Sequence, residues 1–312
     1  MSQTRELTVW AQWDDLVVPS GFTLRSPANT DLASASEAEL SDISFYVPSY
    51  MGGRTALEYS RKMPNLKVLQ MPNAGYEDAI EFTRPGMTLC NGRGIHDAST
   101  AELAVGLAIA SLRGFPEFVR NQDKGQWVHS RQQSINDKKV AIIGYGSIGK
   151  TVARNLSGFD VTVVPFSRSG NDGALKIAEL DTHLPTFDVV ILILPLNDES
   201  RKMFNKERLA LLKDGALLVN VARGSVVDES ALIEALQQGT IAGAGLDVFA
   251  QEPRVPEALW HLSNVVLTPH MASATTETRQ AMADLAFANM QAGLSGQPLL
   301  TPVPECMAKS GH

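Results

Sequence analysis

Three residues of this 312-residue chain offer a cation, a carboxylate and a proton donor that could act together, namely Arg223, Glu252 and His270. Each lies shortly after a run of apolar residues typical of a strand buried on both faces of a parallel sheet. Because parallel strands end at one edge of such a sheet, we expect the three side chains to converge there. A histidine can donate a proton to a developing alkoxide, and an arginine offers a planar fork for carboxylate and carbonyl oxygens.

A glycine-rich turn lies between a strand-like run and a helix-like run in the middle of the chain. Gly144, Gly146 and Gly149 form the pattern GxGxxG directly after residues 140–143. Gly144 permits a tight turn, Gly146 lets a pyrophosphate approach the backbone, and Gly149 allows the helix to pack closely on the strand. The unpaired N–H groups and the positive end of the helix dipole favour phosphate. In this strand–turn–helix context the motif predicts a dinucleotide-binding site.

The residues after the second predicted strand of this region indicate which dinucleotide is bound. Many dinucleotide folds have an aspartate or glutamate about 20 residues after the glycines, where it binds the ribose hydroxyls. This chain has Ser167, Arg168 and Ser169 there instead. Without the carboxylate a 2′-phosphate is not repelled, Arg168 can neutralise it, and the serine hydroxyls can donate hydrogen bonds. The segment therefore favours NADPH, with NADH as the other possibility.

Length, composition and charge are those of a globular protein with two domains. At 312 residues the chain exceeds the length at which one hydrophobic core usually stops growing. Hydrophobic residues make up 44% and charged residues 20%, and the formal net charge of -7 offers no broad positive field for nucleic acid. No run reaches the ~18 apolar residues of a membrane span, and the charged amino terminus lacks a secretory signal. We therefore expect a cytoplasmic protein without a nucleic-acid or membrane partner.

The cysteines and histidines show no pattern of a disulfide or a metal site. Cys90 and Cys306 are far apart and match no ligand spacing, which predicts two free thiols. The six histidines are scattered, so we expect no protein-bound metal. His96 and Asp97 are either a second acid–base pair or the amino-terminal cap of the helix that follows them.

Short apolar runs separated by helix-length segments predict an α/β protein with parallel sheets. In the first part of the chain the predicted strands are residues 7–11, 43–47, 66–70 and 87–90. After residue 138 the runs are continuously apolar, as in a doubly wound sheet, at residues 140–143, 161–164, 189–194, 216–219, 243–246 and 265–267. Residues 98–120 predict a long helix, and residues 275–295 predict an amphipathic helix that could return to the first domain. No full helix is expected in residues 12–21.

The glycine motif and the three strand-end segments closely resemble the D-isomer-specific 2-hydroxyacid dehydrogenase family, which includes glyoxylate and hydroxypyruvate reductases and phosphoglycerate dehydrogenase. The resemblance runs from about residue 66 to residue 273. It implies that His270 is the acid, that Glu252 pairs with it and favours the imidazolium form, and that Arg223 binds the substrate. The backbone of Asn73, Ala74 and Gly75 would receive the substrate carboxylate, together with Arg223 and His270. The implied cofactor-binding residues are Gly144, Gly146, Ser147, Ile148, Gly149, Ser167, Arg168, Pro195, Val221, Ala222 and Asp247, the last on the nicotinamide carboxamide.

The resemblance implies an α/β fold with a Rossmann dinucleotide-binding domain at residues 97–276 and a discontinuous, flavodoxin-like substrate domain at residues 1–96 and 277–312. Substrate would lie in the cleft between them. The implied reaction is NAD(P)H-dependent reduction of a small 2-keto acid, of the glyoxylate or hydroxypyruvate type, to the D-2-hydroxy acid. The alternatives are 3-phosphoglycerate dehydrogenase activity and a dinucleotide-sensing binding protein without catalysis. The family forms homodimers through the long helix and the arm near Trp127, so we expect a homodimer.

Overall fold

The computed structural model describes residues 6–303. Cys306 and the other residues after 303 in the predicted substrate domain lie outside the described residues. Contacts within the chain divide it into two compact units. The first unit contains the chain up to His96 together with the chain from Thr276 onward, and the second unit spans Asp97–Thr275.

Twelve strands and ten α-helices are present in residues 6–303. The strands are β1 (Leu7–Ala11), β2 (Phe22–Arg25), β3 (Ile43–Val47), β4 (Val68–Gln70), β5 (Thr88–Cys90), β6 (Lys139–Ile143), β7 (Thr162–Ser167), β8 (Leu175–Lys176), β9 (Val189–Leu192), β10 (Leu217–Asn220), β11 (Gly243–Leu246) and β12 (Val265–Leu267). The helices are α1 (Glu37–Asp42), α2 (Gly53–Glu58), α3 (Asp97–Leu112), α4 (Phe115–Asp123), α5 (Ser147–Leu156), α6 (Leu180–His183), α7 (Lys206–Ala210), α8 (Glu229–Gln238), α9 (Glu257–His261) and α10 (Thr276–Leu294).

The first unit is a five-stranded parallel sheet in the order β2-β1-β3-β4-β5. Successive side chains of a strand point to opposite faces, so Phe45 and Tyr46 of β3 belong to different hydrophobic clusters. Tyr46 packs with Leu57 of α2, whereas Phe45 lies in the cluster that contains Met290 of α10. This strand order is that of flavodoxin, and the covering helix comes from the end of the chain. The predicted discontinuous, flavodoxin-like fold is confirmed.

An edge strand of the first unit was not predicted from the sequence. β2 pairs in parallel with β1, and only Phe22 of its four residues is fully buried. Alternation of apolar and polar residues is weak in such a short, half-exposed strand, so the pattern carries little signal. The loop between β1 and β2 contains no helix, as expected.

The second unit is a seven-stranded parallel sheet in the order β12-β11-β10-β9-β6-β7-β8. The chain starts at β6, runs outward to β8, and then returns to the other side of β6 through β9. The strand order reverses between β6 and β9, which is the place where open α/β sheets bind their ligands. One face of the sheet packs on α3 and α5, and the other packs on α7 and α8. The predicted Rossmann fold is confirmed.

The long helix predicted over residues 98–120 is broken into two. α3 ends at Leu112, Gly114 has a left-handed backbone with φ of 64°, and α4 begins at Phe115 with Pro116 in its first turn. Glycine at a left-handed position ends a helix, and proline is favoured at the start of the next one. The apolar pattern continues across this break, so periodicity alone did not reveal it. α4 has no buried residue within the chain.

Candidate active site

The turn between β6 and α5 is shaped by its three glycines. Gly144 has φ of 109°, and a Cβ on Gly149 would lie 2.1 Å from the Gly144 carbonyl oxygen, so neither position accepts a side chain without a shift. A Cβ on Gly146 would meet no protein atom within 4 Å. The first turn of α5 has no side-chain cap and no acidic residue. The turn therefore leaves N–H groups and space where an anionic group such as a pyrophosphate fits.

The loop that follows β7 presents a positive charge at the same edge of the sheet. Ser167 Oγ accepts a hydrogen bond from the Gly170 N–H at 3.0 Å, which closes a turn around Arg168. The Arg168 side chain is exposed and forms no ion pair with any of the residues that the structure describes. Lys150 of α5 pairs with Asp172 at 2.6 Å and ties the loop to the helix. An unpaired guanidinium at this position suits a phosphate on the adenosine ribose.

The remaining predicted cofactor residues of the second unit also follow strands of its sheet. Pro195 comes after β9 and is exposed, whereas Val221 and Ala222 come after β10 and are 6% and 5% exposed. Ser147 and Ile148 form the first turn of α5, and the Ser147 hydroxyl donates to Asp97 Oδ1 at 3.1 Å. These residues therefore lie at the carboxyl edge of the parallel sheet.

His270 and Glu252 form a hydrogen-bonded pair at this edge. His270 Nδ1 lies 2.7 Å from Glu252 Oε2, and Glu252 Oε1 accepts from the Phe249 N–H at 3.0 Å. Because an ionised carboxylate only accepts hydrogen bonds, Nδ1 must carry the proton of this bond. His270 Nε2 is therefore the ring atom left to exchange a proton with another molecule, and 26% of the side chain is exposed.

The environment of Glu252 favours its ionised form. Partial burial raises the pKa of Glu252, but hydrogen bonds from His270 and the Phe249 N–H, together with the charges of His270 and Arg223, outweigh it. The net pKa of Glu252 lies below its ordinary value of 4.5. An ionised Glu252 is the partner that an imidazolium requires.

Arg223 lies in the segment between β10 and α8, next to the segment that carries Glu252. Its Nη1 donates to the Ala222 carbonyl at 2.7 Å, and its charge lowers the pKa of Glu252. A Cβ on Gly224 would lie 1.9 Å from the Phe249 carbonyl carbon, so only glycine allows the two segments to approach this closely. Arg223 and Glu252 thus come together although they are 29 residues apart in the sequence.

Asp247 is fully buried behind the segment that carries His270. Its Oδ1 accepts from Thr268 Oγ1 at 2.6 Å and from the Met271 N–H at 2.8 Å, and its Oδ2 accepts from the Ala272 N–H at 3.0 Å. All three donors belong to the protein. The predicted contact of Asp247 with the nicotinamide carboxamide stays a prediction.

The predicted carboxylate-binding loop of the first unit follows β4. The carbonyl of Asn73 accepts from the Gly92 N–H and the carbonyl of Ala74 accepts from Asn91 Nδ2, each at 2.7 Å. These bonds hold the loop, and within residues 6–303 the N–H groups of Asn73, Ala74 and Gly75 have no protein acceptor. Consecutive unpaired N–H groups can receive an anion.

His96 and Asp97 have separate partners. His96 is 3% exposed, its Nε2 lies 2.9 Å from the Pro72 carbonyl oxygen, and burial lowers its pKa. Asp97 is the first residue of α3, and its carboxylate accepts from Ser147. A buried histidine with a lowered pKa is poorly suited to donate a proton at neutral pH.

Neither a reactive thiol nor a metal-binding cluster is found among residues 6–303. Burial raises the pKa of the Cys90 thiol to about 12, which keeps it protonated and unreactive. Residues 6–303 contain no cluster of three or more His, Cys, Asp or Glu side chains suited to a metal ion. None of the helices in this part of the chain is both long and apolar enough to cross a bilayer.

Comparison with known proteins identifies the family. Residues 105–272 match the model of the D-isomer specific 2-hydroxyacid dehydrogenase, NAD binding domain. The chain belongs to the D-isomer-specific 2-hydroxyacid dehydrogenase family. It is 40% identical over 256 residues to the glyoxylate reductase of Pyrococcus furiosus, covering 77% of this chain and 76% of that protein. It is 37% identical over 251 residues to the hydroxyphenylpyruvate reductase of Plectranthus scutellarioides, covering 77% and 79%.

The solved structures of two relatives align with almost the whole of this chain. An NADPH-dependent glyoxylate/hydroxypyruvate reductase from Sinorhizobium meliloti, in complex with NADP and malonate, has a TM-score of 0.81 at 31% identity, covering 97% of this chain and 98% of that one. A glyoxylate reductase from Paecilomyes thermophila has a TM-score of 0.81 at 27% identity, covering 96% and 99%. The protein is therefore an NAD(P)-dependent 2-hydroxyacid dehydrogenase.

Two polar residues of the site were missed by the sequence analysis. Asn220 and Thr268 both bond to segments that carry candidate catalytic residues. Asn220 could have been recognised from the sequence, because it is the last residue of an otherwise apolar strand. A polar side chain at such a buried position needs hydrogen-bond partners. Thr268 shows no such pattern in the sequence.

Proposed function

We propose that this dehydrogenase reduces glyoxylate, hydroxypyruvate or a similar small 2-keto acid to the D-2-hydroxy acid, with NADPH as the preferred cofactor. The observation that carries the proposal is the His270–Glu252 pair, with Arg223 beside it, on the sheet edge that also carries the dinucleotide turn. The names of the curated relatives and of the Sinorhizobium meliloti enzyme support this substrate class.

The second unit binds the cofactor in this proposal. Gly144, Gly146 and the first turn of α5 receive the pyrophosphate, and Arg168 with Ser167 receives the 2′-phosphate that distinguishes NADPH from NADH. Pro195, Val221 and Ala222 line the path toward the nicotinamide ring. The bound nicotinamide supplies the hydride that reduces the keto carbon.

The proton that completes the reduction comes from His270. As the carbonyl oxygen gains negative charge, the proton on His270 Nε2 passes to it, and the imidazole becomes neutral while its Nδ1 stays bonded to Glu252. Arg223 binds the carboxylate and polarises the carbonyl group. In the first unit, the N–H groups of Asn73, Ala74 and Gly75 are the proposed donors to a substrate carboxylate.

The test is the initial rate of NADPH and NADH oxidation with glyoxylate, hydroxypyruvate, pyruvate and phenylpyruvate, for the wild type and for His270→Ala. We expect turnover with NADPH and either glyoxylate or hydroxypyruvate. In His270→Ala the rate should fall by ~10²- to 10⁴-fold. Trp260→Ala, at an exposed residue of α9, is the matched control and should leave the rate unchanged.

The outcome also separates the alternatives. Turnover of 3-phosphoglycerate in place of these acids would replace the proposed substrate. Tight binding of NADPH without turnover of any 2-keto acid would contradict the enzyme assignment and favour a dinucleotide-sensing role.

We also propose that the protein is a homodimer and that it works in the cytoplasm. Phe115 and Val119 of α4 are 50% and 55% exposed, and Trp127 and Val128 in the arm after α4 are 97% and 47% exposed. An apolar surface of this kind usually lies against another protein surface, and a second copy of this chain offers the matching patch. A free, buried Cys90 is compatible with a reducing compartment.

A further inference from the structure

Two buried polar side chains stand at the carboxyl ends of neighbouring strands, next to the segments that carry Arg223 and His270. Asn220 is the last residue of β10 and Asp247 follows β11, and their exposed fractions are 1% and 0%. The Asp247 N–H donates to the Asn220 carbonyl at 3.0 Å, so the two residues are neighbours across the sheet. Burying a polar group is costly unless it is hydrogen-bonded, so their partners indicate what they do.

The hydrogen bonds to the Asp247 carboxylate all come from the segment that follows β12. Their donors are Thr268 on one side of His270 and Met271 and Ala272 on the other. The His270 N–H itself donates to the Asp247 carbonyl at 2.8 Å. Bonds to a buried carboxylate are stronger than those between neutral groups, so Asp247 fixes this segment on both sides of the imidazole.

This support is needed because His270 has a strained backbone. Its φ is 52°, in the left-handed region that residues other than glycine seldom adopt. Such a conformation persists only where the surrounding structure holds it. In this conformation Nδ1 reaches Glu252 at 2.7 Å, so the pair depends on the same bonds.

Asn220 holds the Arg223 segment in a similar way. Its Oδ1 accepts from the Ala222 N–H at 3.0 Å and its Nδ2 donates to the Arg223 carbonyl at 3.1 Å. Both ends of the amide are thus used to close the turn in which Arg223 lies. Arg223 Nη1 donates to the Ala222 carbonyl, and the charge of Arg223 lowers the pKa of Glu252.

We infer that Asp247 and Asn220 are positioning residues that hold His270 and Arg223, respectively, in their working geometry. The inference rests on the proposed roles of His270 and Arg223. Asp247 acts on proton transfer through the imidazole, and Asn220 acts on substrate binding through the guanidinium. Loss of Asp247 bonds therefore lowers kcat, whereas loss of Asn220 bonds raises KM for the keto acid.

The Asp247 role is tested with Thr268→Val, which removes one donor and leaves the carboxylate in place. We expect kcat for glyoxylate reduction to fall by about tenfold, the value of one charge-assisted hydrogen bond, with KM for NADPH unchanged. Thr268→Ser keeps the hydroxyl and should restore the rate. Thr83→Val is the matched control, since the Thr83 hydroxyl also bonds within the protein, to the Ile80 carbonyl, but lies in the first unit.

Combining these substitutions with His270→Ala tests whether Asp247 and Thr268 act on the rate through the imidazole of His270. In His270→Ala the residual rate should not fall further when Thr268→Val or Asp247→Asn is added, because groups that act as a unit are not additive. If the full loss recurs in this background, the residues act on folding or on the cofactor, and the inference is overturned. An increase in KM for NADPH in Asp247→Asn, with kcat unchanged, would overturn it as well.

A proton NMR spectrum provides a readout without turnover. The Nδ1–H of His270, bonded to a carboxylate, should give a downfield resonance in the wild type that is absent from His270→Ala. We expect this signal to be lost in Asp247→Asn and weakened in Thr268→Val, and an unchanged signal in both would overturn the inference. If His270→Ala itself reduces glyoxylate at the wild-type rate, the proposed acid role fails, while the NMR result still decides the positioning role.

The Asn220 role is tested with Asn220→Ser against Arg223→Ala. We expect Asn220→Ser to raise KM for glyoxylate by about tenfold, with KM for NADPH unchanged. In the Arg223→Ala background the same change should have no further effect. A fall in kcat at constant KM, or an equal loss in both backgrounds, would overturn the assignment of Asn220.

Discussion

The histidine at the candidate site is constrained both through its ring and through its backbone. Nδ1 of His270 is bonded to Glu252, and the main chain is held in a left-handed conformation by the segment after β12. Because the imidazole is already held in one orientation, little entropy is lost in aligning it for proton transfer. The ionisation of Glu252 then decides whether this geometry persists as the pH changes.

We predict that protonation of Glu252 lowers kcat/KM for 2-keto acid reduction only below pH 4.5. The pKa of Glu252 in the folded protein lies below its ordinary value, so its ionised form is lost only as the pH falls through that lowered pKa. The contribution of Glu252 to folding stability has the same sign: it is present above 4.5 and is lost on the acid side.

Glu252→Gln should change the same pH profile in a defined way. The amide carries no charge to stabilise an imidazolium, so the rate at pH 7 should fall by roughly tenfold or more, and the decline below pH 4.5 should disappear because the amide does not titrate. Initial rates across the pH range for both proteins measure this. Superimposable profiles would contradict the role of Glu252.

Arg168 is predicted to set the choice between the two cofactors. Arg168→Ala removes the exposed guanidinium and should lower kcat/KM for NADPH by about 10- to 100-fold, while the value for NADH changes little, because only NADPH carries the 2′-phosphate. Arg113→Ala, at another exposed arginine, should leave both values unchanged. Equal losses for the two cofactors would show that Arg168 does not recognise the phosphate.

At the scale of the elements, the turn from β6 to α5 has separate requirements for folding and for binding. A Cβ on Gly149 would lie 2.1 Å from the Gly144 carbonyl oxygen, so Gly149→Ala should lower the free energy of unfolding by about 1–3 kcal/mol. A Cβ on Gly146 meets no protein atom within 4 Å, so Gly146→Ala should fold normally and yet bind NADPH at least tenfold more weakly.

Thermal unfolding and a fluorescence titration with NADPH distinguish these two variants. Gly158→Ala is the control, since a Cβ at this exposed position also meets nothing within 4 Å and lies at the other end of α5. Equal affinity for NADPH in Gly146→Ala and the wild type would show that no pyrophosphate approaches this glycine.

At the scale of the whole molecule, the exposed apolar residues of α4 and the following arm predict self-association. Trp127 is 97% exposed, and burying such a side chain in an interface stabilises it by several kcal/mol. Trp127→Ala should therefore shift the protein from dimer toward monomer at micromolar concentration, as measured by light scattering after gel filtration. Trp260→Ala, at a residue that is 59% exposed, should leave the mass unchanged. A wild-type protein that is monomeric would contradict the proposal.

The sequence predicted all strands of both units except one short edge strand in each. Continuously apolar strands and GxGxxG are strong local signals, and ten of the twelve strands that the structure describes were recognised from their apolar runs. β2 and β8 were not, because short edge strands bury few residues and show little periodicity. The break at Gly114 was missed because the apolar spacing of α3 continues into α4.

By itself, the sequence determined the fold class and the family and predicted the roles of Arg223, Glu252 and His270, because each depends on residue types in local patterns at the ends of strands. Only the tertiary structure decided how these residues are held. The left-handed backbone of His270, its bond to Glu252 and the contacts of Asp247 and Asn220 join segments that are distant in the sequence. Such contacts depend on strand order and packing, and no pattern within a single segment encodes them.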